Sequence, residues 1–475
     1  MIWALLALAV FVVQIAAVLA AEFRRPAKAV AWLLVLFACP PLGFFLYYYL
    51  AREYKAKRSF TERAAGSREL SHAALSRCKP VSSLSDVNGD RFEHQERLFG
   101  LLQSFAASPA TCRNETKVLT NAEAAFAAIF DAIASARHHI HVEYYTIRAD
   151  EIGQRFKDAL IRKAKEGVEV RVIYDGLGSV GLAQSYIDEL RDAGVRTQCF
   201  LAPKIAFFEK RMNYRNHRKN VIVDGRIGFV GGINIGDEYL GADPKLGFWR
   251  DTHLQLEGDA VYFLQNVFLK DWRFTAGERL EASKYMPVHG CAGRERVQIV
   301  ASGPDTADDR TLEYVFAAVS AAKIRLYITT PYFIPDPSVL MGLRTAALSG
   351  VDVRIILPGV ADTKIVLYAS LSYVEEMLAA GVRIYRYRSG FIHAKVMIVD
   401  DLLASVGTAN MDMRSFYSNF ELNALLLSEP AIRRLEADFR QDLLNSDELD
   451  LHTFRKRSRR QKAYEAAARM LSPLL

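Results

Sequence analysis

Two stretches of this 475-residue chain carry side chains suited to attacking and stabilising a phosphate ester. His217-x-Lys219 is followed by Asp224, Gly231 and Asn234, and His393-x-Lys395 by Asp400, Gly407 and Asn410, with every internal spacing repeated. On a strand, residues i and i+2 share a face. The apolar runs Val221-Ile-Val and Val396-Met-Ile-Val place such a strand in each copy. Each copy therefore offers an imidazole beside an ammonium, and pairing the copies about a pseudo-twofold collects two histidines and two lysines in one pocket. A phosphodiester anion repels anionic nucleophiles, whereas a neutral imidazole can attack phosphorus and form a covalent phosphohistidine. The departing alcohol needs a proton, which the second imidazolium can supply before acting as base toward the incoming hydroxyl. Lys219, Lys395, Asn234 and Asn410 are the candidate phosphate-holding donors. The residues leave open which histidine attacks. Neither copy has a second His or Cys at ligand spacing, so no metal and no cofactor is expected.

The elements that must position these groups alternate along the chain. Ala122 to Ala136 and Gln154 to Lys165 read as helices, and His139 to Thr146 and Val168 to Tyr174 as strands, the pattern of an α/β domain. Lys165-Glu-Gly-Val-Glu-Val-Arg-Val-Ile recurs as Leu348-Ser-Gly-Val-Asp-Val-Arg-Ile-Ile, and Glu143-Tyr-Tyr-Thr-Ile has a counterpart in Thr330-Pro-Tyr-Phe-Ile. The period is too long for a solenoid, so the expectation is a duplicated domain. The expected organisation is two membrane helices (1–51), a juxtamembrane segment (52–111), two similar α/β domains (112–290 and 291–450) and a basic amphipathic tail (451–475).

The paired motifs resemble the HKD motifs of the phospholipase D superfamily. Asn213-Tyr-Arg-Asn-His-Arg-Lys, Gly231-Gly-Ile-Asn-Ile-Gly-Asp-Glu-Tyr239, Trp249-Arg-Asp-Thr252, Thr330-Pro-Tyr-Phe-Ile-Pro-Asp336 and Asn419-Phe-Glu421 are similar to the bacterial cardiolipin synthase family within it. The resemblance implies a phosphatidyltransferase that joins two phosphatidylglycerols into cardiolipin and glycerol, at the cytoplasmic face of a bacterial inner membrane. Hydrolysis of phospholipid with the same residues is the alternative. The resemblance also implies that His217 and His393 are nucleophile and acid/base, and that Lys219 and Lys395 hold phosphate. It implies further that Asp224 and Asp400 complete the motifs structurally. Asp251 and Glu421, 34 and 28 residues after their histidines, are expected to orient the rings. Internal symmetry breaks at Gly232 against Thr408. Tyr144, Tyr145, Tyr332 and Phe333 are candidates for the pocket entrance or for core. His138, His139 and His141 lack acidic or thiol partners and read as solvated or core residues.

Residues Ile2 to Ala21 are apolar apart from Gln14, and Ala29 to Leu50 is uncharged, each about long enough to span a bilayer. Pro40, Pro41 and Gly43 should kink the second stretch. A signal peptide cleaved after Val18-Leu19-Ala20 is the alternative, but no Lys or Arg precedes the apolar run. Arg52, Lys55, Lys57, Arg58, Arg63 and Arg68 follow the pair, which directs the remaining chain to the cytoplasm. The net charge of +7 sits in these flanks and in the tail, where Arg455, Lys456, Arg457, Arg459, Arg460 and Lys462 cluster. The expected partner is therefore anionic lipid, not nucleic acid. Five widely spaced cysteines exclude a disulfide scaffold and a C-x-x-C site.

Overall fold

The computed structural model describes residues 2–22, 26–48, 68–81, 95–202, 214–306 and 308–475. Asn213, Tyr49 and most of the basic residues flanking the apolar segments lie outside them. Among the described residues, 16 strands join one sheet. Its two ends are copies of one another. In the first, parallel strands Arg196–Phe200, Glu169–Asp175 and His139–Tyr144 are followed in space by antiparallel Lys219–Val223, Ile227–Gly231, Thr252–Gly258 and Thr111–Thr120. In the second, parallel Arg383–Tyr387, Asp352–Pro358 and Arg325–Thr329 are followed by Val396–Val399, Leu403–Gly407, Asn419–Leu426 and Glu295–Ser302. Thr111–Thr120 pairs antiparallel with Glu295–Ser302, so the join between the copies is itself a strand pair.

The helices expected in the first copy form as Asn121–Ser135 and Glu151–Lys165, the latter capped by Asp150, whose side chain accepts from Gly153 N. The strands form as His139–Tyr144 and Glu169–Asp175. Helix Asp259–Ala276 is buried along most of its length and packs Leu264, Phe268 and Trp272 against the sheet. Each such side chain contributes roughly 1.5–3 kcal/mol by leaving water.

At the N-terminus, α1 (Ile2–Ala21) is uncharged. The second apolar stretch is two helices, α2 (Pro26–Ala38) and α3 (Pro40–Leu46), because Pro40 and Pro41 cannot continue the ladder of the preceding turn. Side chains 4, 6 and 7 of α1 lie outside the described residues. Among the described residues, no helix is long and apolar enough to cross a membrane. Apolar side chains are nevertheless exposed here in unusual density, including Ile2, Trp3, Leu5, Leu8, Val13, Val30, Phe37 and Leu42.

The basic tail is not free. Helix Arg459–Leu471 docks on helix Lys364–Ala379. Arg457 pairs with Glu375 at 2.7 Å and Glu465 at 2.8 Å, and Arg469 with Glu376 at 2.7 Å. Leu474 beyond it packs against Val18, Trp32 and Tyr47, so the last residues touch the N-terminal helices.

Candidate active site

Each histidine stands where a short strand of its own half meets a strand of the other half. Arg215–Asn216 pairs in parallel with Asn419–Phe420, and His217 N donates to Phe420 O at 3.0 Å. Gly390–Ile392 pairs in parallel with Phe248–Arg250, and His393 N donates to Arg250 O at 2.7 Å. One residue beyond each of these carbonyls comes the carboxylate that faces the ring. Glu421 lies 3.1 and 3.0 Å from His217 Nδ1 through its two oxygens. Asp251 Oδ2 lies 2.7 Å from His393 Nδ1.

The orienting pairs are therefore crossed, which corrects the expectation that each carboxylate serves the histidine of its own half. The reason is the strand pairing: the extended segment before each histidine is sewn to the other copy. A carboxylate at Nδ1 fixes the ring proton there and leaves the Nε2 lone pair to react.

Lys219 and Lys395 are buried, and each donates to the carbonyl of its own histidine, at 2.8 and 2.6 Å. Burial and the mutual repulsion of the two ammonium groups lower Lys219 to about 7, and burial lowers Lys395 to about 8. Burial, with Lys395 adding to it, pushes His393 down to about 3, and burial lowers His217 as well. Burial works to raise Asp251 and Glu421, but the hydrogen-bonded histidine that each faces, with the nearby lysine, holds both below the usual carboxylate range. These directions favour ionised carboxylates and neutral imidazoles.

The two carboxylates are held differently. Asp251 accepts from Thr252 N at 2.7 Å, and a Cβ on Gly232 would lie 2.1 Å from Asp251 Oδ1. The absent side chain at position 232 is what lets the shorter carboxylate in. At the equivalent place Thr408 Oγ1 donates to Glu421 Oε2 at 2.5 Å, and Asn419 Nδ2 donates to Oε1 at 3.2 Å. The sequence asymmetry at 232 and 408 is thereby explained.

Asp224 and Asp400 lie just past the far ends of the strands that lead away from the lysines, roughly 16 Å along the chain from them at about 3.3 Å per residue. Both adopt positive φ, 54° and 50°. Asp224 accepts from the backbone N–H of Arg137, His138 and His139 at 2.7–2.9 Å, and Asp400 from Lys323, Ile324 and Arg325 over the same range. They lock turns and touch no reacting atom, in keeping with the structural role that the resemblance implies. Asn234 accepts from Thr146 N at 3.1 Å and donates to the Tyr239 hydroxyl, while Asn410 donates to Asp412 Oδ2 at 3.0 Å. One hydrogen of each amide is thus spent on a loop.

Of the four aromatic candidates, Tyr144 and Phe333 are core. Tyr145 lies 5.0 Å edge-on from His217 with Lys219 Nζ over its face at 5.5 Å, and Tyr332 donates to Asp362. His139 and His141 are buried beside Gln265 and Tyr285, with His141 stacked on Phe268 at 4.3 Å, and His138 is exposed at the strand start. Arg218, between the first histidine and lysine, escaped notice in the sequence. It is buried, donates to Glu421 O at 3.3 Å and Ser302 O at 3.1 Å, and pairs with Asp271. It ties the first motif strand to the second half.

Two Nδ1-anchored imidazoles stand with two buried ammonium groups between duplicated α/β halves, an arrangement able to move a phosphoryl-linked group through histidine. The profile of the family described as cardiolipin synthase, PLD-like domain, matches residues 129–272 and 315–443. A cardiolipin synthase of Geobacillus sp. (strain WCH70) is 46% identical over 98% of this chain and 92% of its own length. A cardiolipin synthase 2 of Bacillus anthracis is 46% identical over 96% and 88%. The crystal structure of a phosphatidylserine synthase from Haemophilus influenzae shares the fold, with a TM-score of 0.63 at 15% identity over 80% of this chain and 100% of that one. The chain belongs to the cardiolipin synthase family of phospholipase D-like enzymes.

Proposed function

We propose that the protein transfers a phosphatidyl group from one phosphatidylglycerol to another, giving cardiolipin and glycerol. The observation that carries this is the pair of crossed histidine–carboxylate dyads enclosing two lysines, supported by relatives so named that match nearly the whole chain. One histidine Nε2 attacks the donor phosphorus, and the P–O bond to glycerol breaks. The other histidine gives its proton to the leaving oxygen. The acceptor's glycerol hydroxyl then returns a proton to that histidine and attacks phosphorus, and the P–N bond breaks. The lysines, with the remaining amide hydrogens of Asn234 and Asn410, face the non-bridging oxygens. A phosphate anion between the lysines also offsets their repulsion of the imidazoles, so substrate binding favours protonation of the acid. Incubating purified protein with phosphatidylglycerol tests the reading. Cardiolipin with released glycerol is expected, whereas phosphatidic acid as sole product means hydrolysis. Mapping the trapped phosphohistidine to a residue other than His217 or His393 refutes the mechanism.

The same proposal places the protein in a bacterial inner membrane, multi-pass, with α1 and the bent α2–α3 pair as a retained hairpin and the catalytic body in the cytoplasm. The exposed apolar side chains of these helices support it, since water does not tolerate so large a patch. Lys456, Arg459, Arg460 and Lys462 of the docked tail are the groups left to meet anionic lipid. Protease protection in inverted membrane vesicles tests the orientation: the body is expected to be cleaved from the cytoplasmic side.

A further inference from the structure

We propose that Glu143 is a positioning residue for His217 and does this work as a neutral carboxylic acid, its proton filling a gap between buried acceptors beneath the first motif. The inference rests on His217 being a reacting group, whatever molecule finally accepts the transferred phosphatidyl.

The two motifs stand on unlike ground. The first histidine is flanked by Asn216 and Arg218, the second by Ile392 and Ala394, and all four side chains are buried. Asn216 is held on three sides. Its N–H donates to Asp175 at 2.8 Å, its Nδ2 donates to Glu143 Oε1 at 2.6 Å, and its Oδ1 accepts from Arg218 N at 3.1 Å. Glu143 therefore fixes the residue that leads into the reacting ring, and the second copy has no amide there to fix.

The other oxygen of Glu143 decides its charge. The residue is fully buried, and Oε2 has no donor. The cations around it are directed elsewhere. Arg218 sends Nη1 to Asp271, Nη2 to Ser302 O and Nε to Glu421 O. Lys270 donates to Ser71 at 3.1 Å, and Arg171 to Glu169 and Tyr285. His141, two residues back on the same face, is kept neutral by burial. Directly opposite Glu143 in the antiparallel pair stands Asn220, and side chains so paired share a face with Cβ atoms about 4.5–5.5 Å apart. Its Nδ2 donates to Leu264 O at 3.2 Å, which identifies its Oδ1 as the acceptor, and that buried oxygen also has no donor. Two acceptors at one paired position thus lack a hydrogen. A carboxylate supplies none and adds a desolvated charge, whereas a carboxylic acid supplies the missing O–H. Burial, with the Asp271 carboxylate adding to it, raises Glu143 well above the usual carboxylate range, in the same sense.

The test compares E143Q, which keeps an acceptor for Asn216 and puts an amide N–H where the acid proton lies, with E143L, which keeps neither. Activity is read as glycerol released from labelled phosphatidylglycerol. Transfer and hydrolysis both release it, so a failed transferase reading leaves the comparison standing. E143Q is expected to stay within about threefold of wild type, and E143L to lose about tenfold or more in kcat with little change in KM, the scale of stranding one buried donor. The His217 ring resonances should move in E143L and those of His393 should not. The infrared difference between wild type and E143Q, taken near neutral pH in an ester-free detergent, should show one protonated-carboxyl C=O band that the variant lacks. Equal losses in the two variants, or no such band, mean an ionised Glu143 and overturn the proposal. Unchanged kcat in E143L overturns it too, because Glu143 then positions nothing. Should E143L not fold, E143Q and the infrared band decide alone, and an E143Q chain that does not fold refutes the neutral acid.

Discussion

The two halves share strand order, motif spacing and a carboxylate at Nδ1 of each histidine, yet they hold that carboxylate by opposite means. The first half uses a short side chain, Asp251, and removes a neighbour at Gly232 to let it approach. The second uses a longer one, Glu421, and adds the Thr408 hydroxyl to fix it. An extra methylene adds a rotamer that must be frozen, and the hydroxyl offsets that cost. Duplication has kept the geometry of the reacting nitrogens and let the scaffolding beneath them diverge. Because each carboxylate serves the other half, the pocket cannot be divided into two working units.

The harshest way to break the comparison is to remove a ring. H217A and H393A are each expected to lower cardiolipin formation at least about a thousandfold, measured with labelled phosphatidylglycerol, because both rings act in each half-reaction. A variant retaining a tenth of the activity would show that one half suffices. Next come the orienters. D251N and E421Q are expected to cost about 10²–10⁴ in kcat, since an amide no longer enforces the tautomer. Crossing is read by NMR titration: D251N should move the His393 resonances and leave those of His217, with the reverse for E421Q. Shifts confined to the histidine of the same half would contradict the structure.

The supports separate the halves more finely. G232A is expected to be more damaging than T408A, because it drives a methyl into Asp251, whereas T408A removes the hydroxyl that donates to Glu421 and accepts from Leu422 N, hydrogen bonds of about 0.5–3 kcal/mol each. D224A and D400A should each lower stability by several kcal/mol through three stranded backbone N–H groups, with the loss read as a fall in melting temperature. The turnover of the molecules that remain folded should stay within about tenfold.

The mildest effect is one of pH. Both lysines release protons from the folded state near 7 and 8, but from the unfolded chain only near 10.5. Between those values the unfolded chain binds more protons, so stability of the empty enzyme from these groups rises with pH. Activity runs the other way, declining above about pH 8 as the phosphate-holding charge disappears. Saturating inorganic phosphate should flatten the stability slope, since an anion raises both lysine pKa values. An unchanged slope would mean that phosphate does not reach the lysines.

Much of this was legible in the residues. The repeated spacings predicted duplicated α/β units, and the structure brings His217, His393, Lys219, Lys395, Asp251 and Glu421 together. The crossing was not legible, because it depends on which strands pair across 142 and 204 residues of chain. Motif periodicity places residues on a face but does not say whose face they meet. Asn234 and Asn410 were read as donors to phosphate, yet their loops claim part of each amide. The tail read as a basic amphipathic segment for anionic lipid, and its pairing with Glu375 and Glu376 was not legible because these lie on a distant helix.

Crossed pairing also bears on how the enzyme is made. A ribosome delivers His217 204 residues before the Glu421 that orients it. At about 5–20 residues per second, that is roughly 10–40 s during which the first motif exists without it. Its ring has no tautomer enforced, its acid partner does not exist, and the second lysine is missing. A half-made chain therefore lacks the groups that the finished site brings together. Competence arrives in one step near the end of synthesis, when the last strands close the pocket and the final residues reach back to the first helices.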